Sequence, residues 1–327
     1  MPSLSAMPFA VCFSTALYTR PPALDPDRMS QDNAAAPPPS KRRVFASRLF
    51  STLLLWGIIW LAVQWKTDWL LIALTGFFGV AGAVEYYRLL RIDSQARSFN
   101  ILGLSICLAY WATMTWWVVS QKKAPPMWLE LAALTASVHG AFLLCYRHQL
   151  EGVVTLQRIF STVFGVVYTV IFFGFIARLM YFHEDGQSAT GLFLVLYLVM
   201  VTKFSDMGAY AFGVVLGKHK MIPHISPAKS WEGFVGAFVT SFAAAVIMLL
   251  WKPVELAPLN WLHGLILAPV LCAAGITGDL AESVIKRCTA IKDSGHKFPG
   301  IGGILDLTDS LLFTAPVFYF YLAAISA

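Results

Sequence analysis

Apolar residues in this chain run in blocks of roughly twenty, the length of helix that crosses a ~30 Å hydrocarbon core. Short polar or basic stretches separate the blocks. Nine blocks read as membrane-spanning helices, at approximately 46–65, 69–90, 101–120, 127–146, 159–181, 191–216, 231–251, 262–282 and 306–326. The sixth is long and holds Lys203 and Asp206, which predicts a broken or tilted helix, and the eighth continues into a polar helical extension. Residues 1–43 contain Pro21-Pro22, Pro26 and the run Ala34 to Pro39 without sustained periodicity. That composition predicts a disordered N-terminal extension, with Met29 the expected start.

Composition strengthens the membrane reading. Hydrophobic residues make up 57%, charged residues 13%, and mean hydropathy is +0.66, whereas a soluble domain carries about 25% charged residues. The expected fold class is therefore all-α, a polytopic integral membrane protein of about nine transmembrane helices. The net charge of +6 does not call for a nucleic-acid partner, because the basic residues sort by loop. Of the 24 lysines and arginines, 18 fall on one side of the predicted membrane, 4 on the other, and Arg178 and Lys203 within spans. Such a bias marks the cytoplasmic side. It predicts a cytoplasmic N-terminus and, for a bacterial chain, the inner membrane. Tryptophans Trp65, Trp69, Trp116, Trp117, Trp128, Trp231 and Trp251 fall near span ends, as an interfacial belt should. The five cysteines have no metal-ligand spacing and read as reduced packing residues.

The spans divide by chemistry. Residues 44–182 carry few charges and read as scaffold, with Glu85 and Arg178 near span ends expected to snorkel to the interface. Residues 183–327 collect the polar groups and read as the catalytic region. A carboxylate at membrane depth costs ~2.5–3.5 kcal/mol, so Asp206 needs a partner; Lys203, three residues earlier, serves, and a purely structural ion pair would also explain both. The loop Gly217-Lys218-His219-Lys220 through Ser226, Lys229 and Ser230 leads into a helix, where hydroxyls, ammonium groups and unpaired N–H groups together suit phosphate. Ordinary positive-inside charge is the alternative. Asp279, Glu282, Ser283 and Lys286 share one helix face. Asp306 and Asp309 open the last span after a glycine-rich turn that includes Gly302 and Gly303. Carboxylates from two helix ends facing lysines suit a Mg²⁺-held polyphosphate; acids merely complementing a helix dipole are the alternative for the last pair.

These residues resemble the phosphatidate cytidylyltransferase family, whose signature reads S-x-x-K-R-x4-K-D-x-G-x-x-x-P-G-H-G-G-x-x-D-R-x-D. Ser283, Lys286, Arg287, Lys292, Asp293, Gly295, Pro299, Gly300, Gly302, Gly303, Asp306 and Asp309 stand in register with it. The stretches Asp206 to Tyr210, Gly217 to Lys220, Ser226 to Gly233 and Gly278 to Ser283 look like the same family, in the same order. The likeness covers residues 203–310. Two positions depart from it: Ile301 stands where the family has His, and Leu307 where it has Arg.

The resemblance implies that CTP and phosphatidate react to CDP-diacylglycerol and pyrophosphate with Mg²⁺, a second, monovalent cation being left open. It assigns the metal to Asp279, Asp306 and Asp309, with Asp206 in addition, and makes Asp279, Lys286, Asp306 and Asp309 catalytic. Substrate binding falls to Lys218, Ser226, Lys229, Ser283, Arg287, Lys292, Asp293, His296, Gly302 and Gly303. Partners are CTP, phosphatidate and membrane lipids, with a homodimer left open. The alternatives are a related CTP-dependent enzyme for another polar lipid, a homologue altered by Ile301 and Leu307, and a transporter. A transporter predicts charges near the midplane and an inverted repeat, whereas the charges here gather on one side.

Overall fold

The computed structural model describes residues 68–90, 99–121, 125–147, 149–182, 188–257, 259–289 and 303–326. The N-terminal extension and the first span lie outside them, as do Lys292, Asp293, His296, Ile301 and Gly302. Helices α1 (Asp68–Leu89), α2 (Asn100–Gln121) and α3 (Trp128–Cys145) come first. Next, α4 (Val153–Val166) passes through one π-helical turn, Val167–Ile171, into α5 (Phe172–Leu179). The chain continues with α6 (Ser188–Leu216), strands β1 (Lys220–Ile222) and β2 (Ser226–Ser230), and helices α7 (Trp231–Trp251), α8 (Trp261–Cys288) and α9 (Ile304–Ser326).

Counting α4, the π turn and α5 as one span, eight helices among the described residues are long and apolar enough to cross a membrane. They match spans two to nine of the sequence. The protein is an all-α integral membrane protein with one small addition, the β1–β2 hairpin, which the hydropathy pattern did not foresee. Helix α8 runs on to Cys288 as expected. Helix α6, expected to be broken or tilted, is a single 29-residue helix. Lys203 Nζ donates to Asp206 Oδ2 at 3.1 Å, so the polar pair is satisfied without opening the backbone.

Within lipid the hydrophobic effect does not drive helix association, so close packing and polar contacts must. Gly208 of α6 shows the first: a Cβ there would overlap Thr240 Oγ1 and the Gly236 carbonyl of α7. Thr240 Oγ1 in turn donates to the Phe204 carbonyl at 2.7 Å. Gly278 of α8 lies so close to the Asp309 carbonyl of α9 that a Cβ would collide with it. This contact sets Asp279 beside Asp309. At the span ends Trp69, Trp116, Trp128, Trp231, Trp251 and Trp261 are exposed, in keeping with an interfacial belt.

Arg178 corrects an expectation: it is buried rather than snorkelling. Its Nε donates to Glu130 Oε1 at 2.9 Å, and its two terminal nitrogens donate to the Pro125 and Pro126 carbonyls at 3.0 and 2.9 Å. Tyr110 completes the cluster, its hydroxyl donating to Glu130 Oε1 at 2.9 Å. A guanidinium with this many fixed acceptors gains nothing by reaching for water. Arg178→Met leaves Glu130 buried without a counter-charge, and a loss of about 3–5 kcal/mol is expected. Thermal unfolding in detergent checks this; the double variant Arg178→Met, Glu130→Gln should recover much of the lost stability.

Candidate active site

The hairpin comes first in the chain. Strands β1 and β2 are antiparallel, Lys220 facing Ser230 and Ile222 facing Ser226, with an irregularity between the two pairs. Ser230 starts α7 as the sequence suggested, its side chain accepting from the Gly233 N–H at 3.1 Å. Glu232 accepts from the Lys218 and His219 N–H groups and from His219 Nδ1 at 2.6 Å. Ser226 and Lys229 stand immediately before the helix, where the sequence put them, on a short strand, β2, that the sequence did not foresee. Lys229 reaches α8, 3.0 Å from Asp279 Oδ2 and 3.1 Å from the Ile276 carbonyl. Arg287, at the end of α8, donates to the Ile225 carbonyl in the hairpin turn at 3.3 Å. Lys218 is exposed and Ser283 half-buried.

Five acids lie where α6, α8 and α9 meet: Asp206 of α6, Asp279 and Glu282 of α8, and Asp306 and Asp309 of α9. Lys203 Nζ joins two of these helices, donating to the Leu307 carbonyl at 2.9 Å as well as to Asp206. The cation that the signature expects at position 307 is missing, yet an ammonium stands at that residue's carbonyl. Ser310 Oγ lies 3.1 Å from Asp206 Oδ1 and 3.2 Å from Asp309 Oδ1. Asp309 is 5% exposed, and its Oδ1 also accepts from the Ser310 N–H at 2.6 Å. Asp306 faces elsewhere. It pairs with Lys286 Nζ and accepts from the Gly303 N–H at 3.0 Å, as the acid of a capping box would. Lys286 Nζ is also 3.2 Å from Glu282 Oε1, and Glu282 is 3% exposed.

The expected ligand trio Asp279, Asp306 and Asp309 thus does not converge. Among the described residues no three His, Cys, Asp or Glu side chains meet as a metal-holding group. Asp279 and Asp306 each turn to a lysine, the nearest compensation for a carboxylate away from water. Asp309 differs from its neighbours: among the described residues it has no ion-pair partner, and it meets Ser310, whose hydroxyl also reaches Asp206. Asp309, Asp206 and the Ser310 hydroxyl between them offer only oxygen donors, the type that a hard divalent cation takes.

The start of α9 is fixed from the first half of the chain. Glu85 of α1, expected to snorkel, is 9% exposed. Its Oε2 accepts from the Ile304 and Leu305 N–H groups at 2.6 and 3.2 Å. Two unpaired donors and the positive end of a helix dipole hold the carboxylate inside. The acid-bearing turn of α9 is therefore positioned by a residue of the supposed scaffold. Glu85→Ala is expected to lower Tm by several degrees and activity about tenfold, with Glu85→Gln recovering part of both. Wild-type activity in the Ala variant would contradict this role.

A family model described as the cytidylyltransferase family matches residues 46–325. The chain belongs to the cytidylyltransferase family. It is similar to the phosphatidate cytidylyltransferase of Haemophilus influenzae, 39% identical over 45% of this chain and 51% of that protein. The Bacillus subtilis phosphatidate cytidylyltransferase is 43% identical over 42% of this chain and 49% of its own length. An uncharacterized Escherichia coli protein, YnbB, is 41% identical over 40% of this chain and 43% of its own. The chain spans about half the length of the curated relatives it matches.

For a cytidylyltransferase, the residues that sequence reasoning missed are instructive. Glu282 was visible on the face of Asp279, Ser283 and Lys286 but was given no task. Ser310 links two acids without being one itself, and Lys203, foreseen as the partner of Asp206, reaches the Leu307 carbonyl as well. Glu85 carried one signal, a charge inside an apolar span, which announces a partner without naming it.

Proposed function

We propose that the protein transfers the cytidylyl group of CTP to phosphatidate, giving CDP-diacylglycerol and pyrophosphate. One observation carries this reading: Lys286 of α8 pairs with Asp306 at the start of α9, both in register with the family signature, and Asp309, the next acid of that signature, lies beside Ser310 one turn on. Relatives named for this reaction support it. A lipid phosphate oxygen would bond to the α-phosphorus of CTP while the bond to the β-phosphate bridging oxygen breaks, the electron pair leaving with pyrophosphate. A phosphate monoester is already largely ionised at neutral pH, so no protein base is required, and neither Asp293 nor His296 is given that task. The work of the chain is positioning and charge neutralisation.

Mg²⁺ would be held by Asp309 with Asp206 and Asp279, and would supply charge neutralisation at the polyphosphate. Lys229 and Lys286 now pair with Asp279 and Asp306. A polyphosphate competing for these ammonium groups would free both acids, so Asp306 keeps its place among the candidate ligands. Arg287 and Lys218 would meet phosphates at the aqueous rim, with Ser226 and Ser283 nearby; Lys292, Gly302 and Gly303 complete the candidate binding set. Residues 44–182 would carry the scaffold and residues 183–327 the chemistry, with Glu85 crossing that division. The basic bias supports a site on the cytoplasmic side, with the N-terminus on that side too, and suits a bacterial inner membrane.

The test is an acceptor panel with labelled CTP and Mg²⁺: phosphatidate, lysophosphatidate, an isoprenoid phosphate and an uncharged diacylglycerol. Label passing to phosphatidate by a clear margin is expected. Preference for another lipid phosphate would replace phosphatidate in this reading.

A further inference from the structure

Tyr168 lies in the π turn that joins α4 to α5, a wide turn of the kind that recurs at functional sites. Its side chain is wholly buried. The ring stacks on Phe164 at 5.6 Å and lies 6.2 Å from Tyr86 of α1 and 6.3 Å from Phe313 of α9. Tyr86 follows Glu85, and Phe313 is one turn beyond Asp309, so the ring sits between α1, whose Glu85 holds the start of α9, and α9, which carries Asp306 and Asp309. The hydroxyl has no hydrogen-bond partner among the described residues. The acids in its surroundings are Asp309 of α9 and Glu282 and Asp279 of α8.

Other buried tyrosines show how unusual this is. Tyr86 donates to the Ser161 carbonyl at 3.0 Å, Tyr87 to the Thr162 carbonyl at 2.8 Å, and Tyr110 to Glu130. Tyr197 also has a buried hydroxyl without a partner, but it stacks on Phe318, more than two turns past Asp309. A buried hydroxyl without an acceptor among its surroundings carries a desolvation cost. The cost disappears when a ligand brings an acceptor.

We propose that the Tyr168 hydroxyl is a binding group of the active site, donating a hydrogen bond to a phosphate oxygen of a bound substrate. The inference rests on the reaction proposed above and adds to it a residue from the first half of the chain. The phosphate could belong to the nucleotide or to the lipid, and the experiment separates these two sources.

Tyr168→Phe removes the hydroxyl and keeps the ring. Wild type and variant are compared in detergent by Tm without ligand, by the rise in Tm with Mg²⁺ and CTP or with phosphatidate, and by kcat/KM for each substrate. Without ligand, the variant should match or exceed wild-type Tm. The ligand whose phosphate is bound should raise Tm less, and its kcat/KM should fall about tenfold. Ligand-induced rises and kcat/KM values within twofold of wild type for both substrates overturn the proposal. So does a ligand-free Tm several degrees below wild type, which would show the hydroxyl satisfied inside the fold. Product formation by wild type tests the reaction separately, because the Tm comparison reads the hydroxyl even without turnover.

Discussion

Asp309→Asn is expected to cut turnover at least a hundredfold while leaving the protein folded and no less stable. Asparagine keeps the volume and an oxygen acceptor for the Ser310 N–H, now 2.6 Å from Asp309 Oδ1, removes the charge, and turns the second oxygen into an NH2 donor. That charge is 5% exposed and has no ion-pair partner among the described residues, so its loss relieves a desolvation cost. If Asp309 holds a divalent cation, the same change weakens charge neutralisation worth several kcal/mol, and each 1.4 kcal/mol is a factor of ten in rate. The distinguishing pair of measurements is initial rate against Mg²⁺ concentration and Tm. Loss of rate with retained Tm agrees with this role. Near-wild-type rate at low Mg²⁺ would remove Asp309 from the site.

Lys286→Met should have the opposite profile, with stability and activity lost together. Its ammonium lies 3.2 Å from Glu282 Oε1 and also pairs with Asp306. Without it a carboxylate that is 3% exposed loses its cation. Removing one partner of a buried pair costs about 3–5 kcal/mol, which corresponds to a fall in Tm on the order of ten degrees. The double variant Lys286→Met, Glu282→Gln removes the stranded charge, so it should regain most of the Tm and little of the activity. Recovery of both would make Lys286 purely structural. Recovery of neither would mean that Asp306, rather than Glu282, is the acid that needs the lysine.

Spans two to nine were legible because twenty-residue apolar blocks are a coarse and repeated signal. The polar ends of α8 and α9 were legible through spacing: Asp279 and Lys286 lie on one face, and Asp306 and Asp309 open the next helix. Partner choice was not. Spacing could not show that Lys229 would cross to Asp279, or that Asp306 would cap its own helix at Gly303, because those pairings depend on how three helices approach. The hairpin escaped for another reason: strands of three and five residues with Pro227 among them carry too little periodicity to register. Glu85 and Arg178 were misread alike. Long charged side chains near span ends ordinarily snorkel, and only tertiary structure reveals fixed acceptors inside, two N–H groups for the first and Glu130 with two proline carbonyls for the second. The division into scaffold and catalytic halves was drawn where charge density changes, and Glu85 contacts across it.

The most direct test of the proposed reaction is a pair of parallel incubations of the purified protein with Mg²⁺ and phosphatidate, one with CTP labelled at the α-phosphate and one with CTP labelled at the γ-phosphate. Cytidylyl transfer predicts that α-label enters the lipid product and γ-label appears in pyrophosphate. Lipid carrying γ-label would mean a phosphoryl transfer instead, and no labelled lipid from folded, lipid-loaded protein would contradict the assignment of this chemistry to the chain.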